Sequence, residues 1–335
     1  MDALTDLLRG VHAHGALVCR SFASPPWSLE YSATAPLTLV AATRGDTWLL
    51  AEDGARLLMR PGDIGLARGP QRFVLADDPD RPPRISVGEP DCERWRIGTR
   101  TYGFEPGAFG AGGGEAGGVG AGGVGAGGVG AGEFGAGVDG DAAVLTGSYE
   151  VEGSISDRLL NALPNAFVVP CEGGPCPTLD LLAAEVAKDR PGQDIVLDRL
   201  LDVLLVFALR EWFDRPEANT PAWYRALGDD VVGPALRALH DAPGHAWTVA
   251  ELAGRAGVSR AALARRFTAL VGVPPLTYLT EWRMDLAADL LTRPGATVSS
   301  VARAVGYADG FAFSTAFKRV RGVRPSDHRV VALRA

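Results

Sequence analysis

The stretches TVAELAGRAGVSRAALARRF (residues 248–267) and TVSSVARAVGYADGFAFSTAFKR (residues 297–319) repeat one pattern near the end of the chain. Each predicts a helix, a turn that contains glycine, and a second helix. In the first stretch, the spacing of Thr248 and Glu251 predicts a reciprocal N-terminal cap, and Gly257 ends the helix that they begin. A duplicated helix-turn-helix pattern is far more specific than a single one.

The second helix of the first unit has a predicted buried face and a predicted exposed face. Ser259 is its cap, and Leu263, Phe267 and Leu270 recur at the spacing of a buried stripe. The positions that point outward are Arg260, Ala261, Ala264 and Arg265.

The second unit follows the same plan. Thr297 is predicted to cap its first helix, Gly306 lies at the turn, and Asp309 caps the second helix. The second helix is expected to bury Phe313 and Phe317, which lie four residues apart.

Between the units, PPLTYLTEWRMDLAADLLTRPG (residues 274–295) predicts one long helix, because prolines open it and a Pro-Gly pair closes it. Its predicted apolar side consists of Leu276, Leu279, Leu286 and Leu290. At about 1.5 Å per residue this helix is roughly 30 Å long, close to the roughly 34 Å turn of B-DNA. It would present two reading helices to successive major grooves. The alternative is a plain helical bundle with arginines on solvated faces.

Residues 247–329 resemble the AraC/XylS transcription regulators through the segments GVSRAALARRF, YLTEWRMDLAADLL, VARAVGYADGFAFSTAFKR and GVRPSDHR. The resemblance implies two helix-turn-helix units joined by a central helix, and double-stranded DNA as the partner. It places the base-facing positions at Arg260, Ala261, Ala264 and Arg265 in the first unit, and at Gly310, Phe311, Ala312 and Thr315 in the second. Ser259, Lys318 and Arg319 complete the predicted DNA-binding set. Because several positions of the second unit are small or apolar, it is expected to contribute phosphate contacts and thymine-methyl packing.

The net charge is −7, but it is unevenly distributed along the chain. Residues 227–335 contain 14 Arg plus Lys and 9 Asp plus Glu, a net of +5, whereas the remainder contains 19 and 31, a net of −12. The basic charge thus accompanies the duplicated motif, as phosphate binding requires. The candidate phosphate-contact strip consists of Arg319, Arg321, Arg324 and Arg329.

With 335 residues and 47% apolar content, the chain can bury more than one core, and its length predicts two or three domains. No apolar run reaches membrane-spanning length, and the start MDALTDLLRG lacks the pattern of a signal peptide. We therefore expect a cytoplasmic protein that does not enter a membrane.

Residues 15–151 predict short strands separated by turns, in a small β-barrel or jelly roll. The strand segments are APLTLVAA, DTWLLAE, ARLLMR, DIGLAR, QRFVLA and AAVLTGSYEV. The phrase RPGDIGLARGPQRFVLA resembles the second conserved motif of cupins, and in particular the cupin-like sensor of one AraC subgroup, over roughly residues 1–170.

Catalytic cupins usually hold a metal with two or three histidines and a carboxylate. The histidines here are His12, His14, His240, His245 and His328, so none lies between residues 15 and 239. Gln71 and Arg72 stand where the motif normally offers histidine, and Thr38 stands in the earlier ligand region. We therefore expect no metal, no cofactor and no catalytic residue, and a sensor or scaffold instead. A small ligand inside the barrel would be lined by Trp48, Phe73 or Trp95, each of which is also a natural core residue.

Residues 103–140 contain 19 glycines in 38 positions and repeat the pentamer GAGGV. Such a segment supplies no core and is costly to order, and it lacks the three-residue glycine repeat of collagen. We predict a flexible insertion within the sensor domain.

Four cysteines occur, at Cys19, Cys92, Cys171 and Cys176. Cys171 and Cys176 lie in PCEGGPCP, where turn residues would let the two thiols meet, so this pair is a candidate redox switch or soft-metal site. Their spacing is not a recognised zinc pattern, and a purely structural role is the alternative.

Residues 178–239 predict helices, including DIVLDRLLDVLLVFALREWF (residues 194–213). Its predicted apolar face consists of Ile195, Leu197, Leu200, Leu201, Leu204, Leu205 and Ala208, with Asp198, Arg199 and Asp202 opposite. This face would either pair two subunits or pack onto the chain's own barrel. DRPEANTP (residues 214–221) is the predicted interdomain linker.

Together the patterns predict an α+β multidomain chain. A cupin-like β-barrel sensor would span residues 1–170, a helical linker or dimerisation region residues 171–225, and an all-α double helix-turn-helix domain residues 226–335. The expected function is a homodimeric, sequence-specific DNA-binding transcription regulator, an activator by family resemblance. RNA polymerase would be a partner, and a small-molecule or redox signal would act in the N-terminal domain. The alternatives are a metal-dependent cupin enzyme fused to a DNA-binding tail, and a methyl-accepting DNA-repair activator, whose four-cysteine zinc cluster the chain lacks.

Overall fold

The computed structural model describes residues 2–13, 18–32, 35–87, 96–98, 100–104, 140–171 and 176–332. Its strands are β1 (Val11–Ala13), β2 (Cys19–Ala23), β3 (Ser28–Ser32), β4 (Leu37–Arg44), β5 (Thr47–Ala51), β6 (Arg56–Met59), β7 (Ile64–Arg68), β8 (Arg72–Ala76), β9 (Ile85–Val87), β10 (Arg96–Gly98), β11 (Thr101–Phe104), β12 (Ala142–Val151) and β13 (Ala166–Val169). Its helices are α1 (Ala3–Leu8), α2 (Gly153–Leu160), α3 (Pro177–Val186), α4 (Gln193–Phe213), α5 (Ala222–Leu227), α6 (Val232–Asp241), α7 (Val249–Arg255), α8 (Arg260–Val271), α9 (Pro275–Thr292), α10 (Val298–Ala304), α11 (Gly310–Arg321) and α12 (Pro325–Ala332). The predicted order, a sheet-rich region followed by a helical one, is confirmed.

The N-terminal region consists of two sheets. The larger has the order β10-β11-β2-β12-β4-β7-β13, with β1 also paired to β12, and the smaller has the order β6-β5-β8-β3-β9. All six strand segments predicted from alternation and turn residues are confirmed as β4 to β8 and β12. The six segments did not include β1, β2, β3, β9, β10, β11 and β13, which are three to five residues long.

The two sheets enclose one apolar core. Val40 and Val144 of the larger sheet pack in it with Leu49, Phe73 and Leu75 of the smaller one. Phe73 stacks on Tyr31 with ring centroids 4.9 Å apart. Of the three aromatic residues considered as ligand lining, Phe73 is therefore a core residue, Trp48 is half-buried, and Trp95 lies outside the described residues.

Most of the glycine-rich segment, residues 105–139, lies outside the described residues, so its predicted flexibility stays a prediction. The predicted bounds of 103–140 are too wide, because the residues at both ends belong to the described fold. Gly103 and Phe104 belong to β11, which is parallel to β2, and Gly140 lies so close to Ala23 that a Cβ would be 2.8 Å from the Ala23 backbone. The segment connects strands on the two sides of β2, because β12 pairs with the other edge of β2.

α4 packs with one face on the outer side of the larger sheet. Tyr149 of β12 donates its hydroxyl to the carbonyl of Leu201 at 2.8 Å, and the amide of Ala13 donates to the carboxylate of Asp202 at 3.1 Å. Of the two alternatives, the structure therefore shows packing onto the chain's own sheet. Ile195 was wrongly assigned to this face: it is 66% exposed on the opposite side, because the apolar residues of α4 surround more than one face of the helix.

The C-terminal region contains two helical pairs, α7–α8 and α10–α11, on either side of α9. The predicted central helix is confirmed, but its buried side differs from the predicted one. Leu279 is buried as expected, whereas Leu276 is 39% exposed, and Leu286 and Leu290 are only half-buried. The side chains that α9 buries are Pro275, Tyr278, Leu279, Trp282, Met284, Asp285, Ala287, Ala288 and Leu291. Tyr278 and Trp282 pack with the first pair, and Met284, Ala287 and Leu291 pack with the second.

The N-terminal and C-terminal regions share a continuous apolar core that includes Leu4 of α1, Leu239 of α6 and Phe267 of α8. A buried polar chain crosses the same boundary. His240 contacts the carboxylate of Asp6 through Nδ1 and the hydroxyl of Tyr278 through Nε2, each at 2.8 Å. Burial raises the pKa of Tyr278 to about 12, so this hydroxyl keeps its proton and can donate it to Nε2. Nδ1 is then left to donate to Asp6.

Candidate nucleic-acid interface

In the first helix-turn-helix unit, local contacts fix the start of α7, the turn, and the start of α8. The hydroxyl of Thr248 accepts the amide of Glu251 at 3.1 Å, Gly257 has a φ of +66°, and the hydroxyl of Ser259 accepts the amide of Ala262 at 3.2 Å. The prediction of a reciprocal cap was wrong in one respect. The carboxylate of Glu251 contacts Nε2 of His245 at 3.0 Å instead of returning to the start of α7.

α8 presents the predicted surface to solvent. Leu263 and Phe267 are buried, while Arg260, Ala261 and Arg265 are exposed. Of the other predicted positions in this unit, Ser259 is exposed and Ala264 is half-buried. The neighbouring Arg266 projects elsewhere: its guanidinium donates to the carboxylate of Asp229 at 2.7 and 3.0 Å. Two adjacent arginines of α8 therefore have different surroundings, since an ion pair is described only for Arg266.

The second unit has the reciprocal cap. The hydroxyl of Thr297 accepts the amide of Ser300 at 3.1 Å, and the hydroxyl of Ser300 accepts the amide of Thr297 at 3.0 Å. Asp309 accepts the amides of Phe311 and Ala312, both at 2.8 Å, and thereby begins α11. These contacts satisfy amides that a helix start otherwise leaves without partners.

Gly306 forms the turn of the second unit and touches the first. Its φ is +82°, and a Cβ there would lie 2.4 Å from the carbonyl oxygen of Gly244, between α6 and α7. Arg283 of α9 bonds to the same connection between α6 and α7. Its Nε donates to the carbonyl of Pro243 at 2.6 Å, and its Nη2 donates to the carbonyl of His245 at 2.7 Å. The two units are therefore held together by backbone contacts as well as by α9.

α11 exposes a large aromatic side chain. Phe311 is 85% exposed in the first turn, although Phe313 and Phe317 of the same helix are fully buried. The other exposed positions of the predicted set are Ala312, Thr315, Lys318 and Arg319, and Gly310 is half-buried. A large exposed aromatic side chain beside small and cationic ones forms a surface suited to an apolar and anionic partner.

The predicted phosphate strip divides into two pairs. Arg319 and Arg324 are exposed. Arg321 instead donates to the carboxylate of Asp285 at 3.1 Å and to the hydroxyl of Ser154, and Arg329 donates to the carbonyl of Ala296 at 2.7 Å. Arg321 and Arg329 therefore already have partners within the fold, and Arg319 and Arg324 are the exposed pair of the predicted strip.

An open groove of about 590 Å³ lies beside α11 and contains residues that the sequence had not singled out. Lys318, Arg319 and Arg324 line it together with Ser326, in the first turn of α12. Ser326 was missed because a serine after proline marks only a helix start. The placement of α12 beside α11 brings it to the groove.

A cluster of charges connects the second unit to the N-terminal region. The carboxylate of Asp285 on α9 contacts Arg158 of α2 at 3.3 Å and Arg321 of α11 at 3.1 Å. Burial raises the pKa of Asp285 despite these two guanidinium groups. One turn further on, the carboxylate of Asp289 accepts the amide of Ser154 at 2.6 Å, at the start of α2. A helix of the N-terminal region is therefore bonded to the central helix and, through Arg321, to α11.

The described residues contain no group of three or more His, Cys, Asp or Glu side chains positioned to hold a metal ion. The four residues between Cys171 and Cys176 lie outside the described part of the chain. Cys176 lines a cavity with Gly62, and a Cβ on Gly62 would lie 3.4 Å from the Cβ of Cys171. Within the described ranges, no helix has the length and apolar character needed to cross a bilayer.

Two protein families match different parts of the chain. A cupin family matches residues 2–214, which include both sheets, and a helix-turn-helix domain family matches residues 252–330. AraC-like transcription regulators of Streptomyces lividans and Streptomyces antibioticus are each 31% identical over 335 residues, covering 98% of this chain and 98% of their own. The transcriptional activator RclR of Escherichia coli is 33% identical over 152 residues, which are 45% of this chain and 53% of RclR. The full-length matches, with a cupin region before a double helix-turn-helix, show that the chain belongs to the AraC-like transcription regulators.

Proposed function

We propose that this regulator binds a specific double-stranded DNA site with α8 and α11 as its two reading helices. The observation that carries the proposal is the pair of exposed helix faces, each capped at its N-terminus and backed by a buried face that packs toward α9. The 18 residues of α9 make it about 27 Å long at 1.5 Å per residue, which suits two successive major grooves.

The two reading helices would recognise DNA by different means. On α8, Arg260 and Arg265 can each donate two hydrogen bonds to a guanine edge. On α11, Phe311 and Thr315 can pack against thymine methyl groups, while Arg319 supplies charge for phosphates. The first unit would therefore contribute hydrogen-bonded base readout, and the second would contribute shape, apolar contact and affinity.

The test is selection of DNA from a random pool by the full-length protein, followed by sequencing. We expect two enriched half-sites about 10 base pairs apart, the first rich in guanine and the second rich in thymine. Arg266→Ala is the matched control for Arg265→Ala, because Arg266 is paired with Asp229. Recovery of unenriched DNA by the wild-type protein would contradict sequence-specific recognition.

We also propose a homodimer formed through the solvent side of α4. Four apolar residues are exposed or half-buried there at the spacing of a paired helix, namely Val196, Leu200, Val203 and Phe207. A second copy is the partner that fits, because the stripe lies along one helix of 21 residues and can cover an identical stripe.

Mass measurement in solution tests the dimer. Val203→Asp combined with Phe207→Asp should give a monomer, whereas Leu58→Asp, at an exposed position of β6 on the other sheet, should leave the mass unchanged. A wild-type monomer at all concentrations would exclude this arrangement.

A signal in the N-terminal region would control the DNA-binding domain, and a small molecule or thiol oxidation would supply it. The thiol version predicts that Cys171→Ser with Cys176→Ser abolishes any oxidant-dependent change in DNA binding. A response that persists in the double variant would exclude the pair as the sensor.

The proposal has four further parts: the protein activates transcription, contacts RNA polymerase, lies in the cytoplasm and has no enzymatic activity. The similarity to the activator RclR supports the first of these. Metal analysis of the purified protein distinguishes a regulator from a cupin enzyme. One equivalent of tightly bound iron or manganese would favour the enzyme, whereas the paucity of histidines before residue 239 favours the regulator.

A further inference from the structure

The open groove beside α11 has an apolar end and a cationic end. Val298 of α10 and Phe311 line the apolar end, near the start of α11, where a Cβ on Gly310 would lie 4.0 Å from Cγ1 of Val298. The cationic end, at the other end of the helix, is lined by Lys318 and Arg319. The groove therefore offers different chemistry to the two ends of a partner.

The charge of the groove is positive. Lys318, Arg319 and Arg324 line it, and none of its described lining residues is Asp or Glu. Two carboxylates flank it in the sequence, and both accept local hydrogen bonds: Asp309 from the amides that begin α11, and Asp327 from the hydroxyl of Ser326. The three cations still exceed these two carboxylates. This charge is complementary to a nucleic-acid backbone.

Phe311 lies where a reading helix meets base edges. It is the second residue of α11, and its amide is held by Asp309 at 2.8 Å. First-turn residues of a reading helix contact the bases. Thr315 and Arg319 follow at intervals of one turn on the same side, so Phe311 and Arg319 are about 12 Å apart along the axis. Because the major groove is also about 12 Å wide, Phe311 can face bases while Arg319 reaches phosphates at its edge.

The apolar end of the groove can recognise carbon but makes few hydrogen bonds. The ring of Phe311 is 85% exposed, and the hydroxyl of Ser314 already donates to the carbonyl of Gly310 at 2.6 Å. In the major groove, the apolar feature of a base pair is the methyl group on C5 of thymine. Cytosine carries the same group when it is methylated at C5. The hydroxyl of Thr315 can donate to O4 of thymine or accept from the amino group of cytosine, so it does not separate these two bases.

We propose that Phe311 recognises a methyl group on C5 of a pyrimidine, so that 5-methylcytosine can replace thymine in the operator. The proposal rests on the DNA-binding function proposed above and adds a class of ligand, methylated DNA. Unmethylated cytosine would leave the ring of Phe311 uncovered. Methylation of a cytosine at this position therefore raises the affinity of the regulator for its site.

Synthetic duplexes test the proposal with the full-length protein, in the sequence that it selects from a random pool. Each enriched thymine of the second half-site is replaced in turn by deoxyuridine, cytosine or 5-methylcytosine, and affinity is measured by fluorescence anisotropy at constant salt. Deoxyuridine differs from thymidine only by the lost methyl group. At the contacted position it should bind about threefold to fourfold more weakly than thymine, and 5-methylcytosine should bind tighter than cytosine by about the same factor.

Phe311→Ala should bring both ratios to about one, because the surface that covers the methyl group is removed. Phe311→Leu keeps an apolar side chain and should preserve both ratios above one. Val320→Ala is the matched control on the same helix. Val320 is also exposed and apolar, but it lies nine residues further on, which is the opposite side of the helix, and it does not line the groove.

The possible failures are distinguishable. If no duplex is selected from the pool, the proposed function is contradicted, and this inference with it. A selected duplex that binds equally with thymine and deoxyuridine at every position would overturn the methyl proposal alone. Ratios that persist in Phe311→Ala, or 5-methylcytosine bound no more tightly than cytosine, would also overturn it. Wild-type affinity of Phe311→Ala for the thymine duplex would assign the exposed ring to a protein partner instead.

Discussion

Asp6 and His240 are joined by a 2.8 Å contact between Oδ2 and Nδ1, although 234 residues separate them in the sequence. Both side chains are almost completely buried, and Tyr278 occupies the other ring nitrogen. The contact connects the first helix of the N-terminal region to α6, the helix that precedes the first helix-turn-helix unit. Removal of one partner would leave a buried polar group without its bond.

Asp6→Ala should therefore lower the free energy of unfolding by about 1–3 kcal/mol. Chemical denaturation of the purified protein measures this loss. Asp46→Ala, at an exposed position between β4 and β5, is the control and should change the free energy of unfolding by less than about 0.5 kcal/mol. Equal effects of the two substitutions would show that the buried contact contributes nothing.

Asp289 should give stability a distinct pH dependence. Burial raises its pKa from 3.8 to about 6, against the amide hydrogen bonds from Ser154 and Ile155, which lower it. Between these two values the folded chain retains a proton that the unfolded chain has released, so this residue makes stability fall as the pH rises. The effect is at most about 3 kcal/mol, and solvent screening at this half-buried site reduces it.

Asp289→Asn isolates that effect, because asparagine keeps an oxygen for the Ser154 amide but does not titrate. Denaturation midpoints measured from pH 4 to pH 6 should fall more steeply in the wild type than in the variant. Parallel curves for the two proteins would mean that Asp289 titrates at its ordinary pKa of 3.8.

Arg265 and Arg319 should make different contributions to DNA binding. Arg265→Ala should weaken the cognate site by roughly 10- to 100-fold and relax preference at one base pair, because a bidentate contact to guanine is lost. Arg319→Ala should weaken all sequences similarly and reduce the salt dependence by about one phosphate contact.

Binding of both variants to a panel of operator sequences distinguishes the roles, with Arg266→Ala as the control on α8. Identical behaviour of Arg265→Ala and Arg319→Ala across the panel would show that Arg265 does not recognise a base. Wild-type affinity in both variants would contradict the assignment of α8 and α11 as reading helices.

Deletion of residues 111–132 should leave stability and DNA affinity nearly unchanged. Phe104 and Ala142 both lie opposite Ala23, on the two sides of β2, so the segment connects points about 10 Å apart. The deletion leaves 13 residues between Phe104 and Gly140, which can span that distance easily. Shortening a flexible loop changes its closure free energy by only about 0.6 kcal/mol per twofold change in length.

Thermal unfolding of the deletion variant provides the measurement. A fall of the midpoint by more than about 5 °C would show that the glycine-rich segment contributes folded structure. A control deletion is unnecessary, because the wild-type chain contains the same flanking strands.

Features set by neighbouring residues could be predicted from the sequence, whereas those set by distant partners could not. Thr248, Ser259, Thr297 and Asp309 were identified as helix caps because capping depends on residues two or three positions away. Arg321 resembled Arg319 in the sequence, and only the approach of Asp285 and Ser154 distinguishes them.

The buried face of α4 illustrates the same limit. Its apolar residues cover more than half of the helix circumference, so helical spacing could not decide which side would meet the sheet. The position of Tyr149 on β12 settles this, since its hydroxyl bonds to the Leu201 backbone. Ile195 therefore lies in solvent, although it continues the apolar pattern.

Arg321 lies in the last turn of α11 and bonds to both the central helix and the start of α2. A displacement of α11 on binding an operator would therefore also displace α2 of the N-terminal region. Thermodynamic linkage then imposes symmetry: whatever factor an effector applies to DNA affinity, bound DNA must apply to effector affinity. If the proposed signal changes DNA affinity, operator DNA must also change the affinity for the signal, and the signal concentration needed for a response would differ between free and DNA-bound protein.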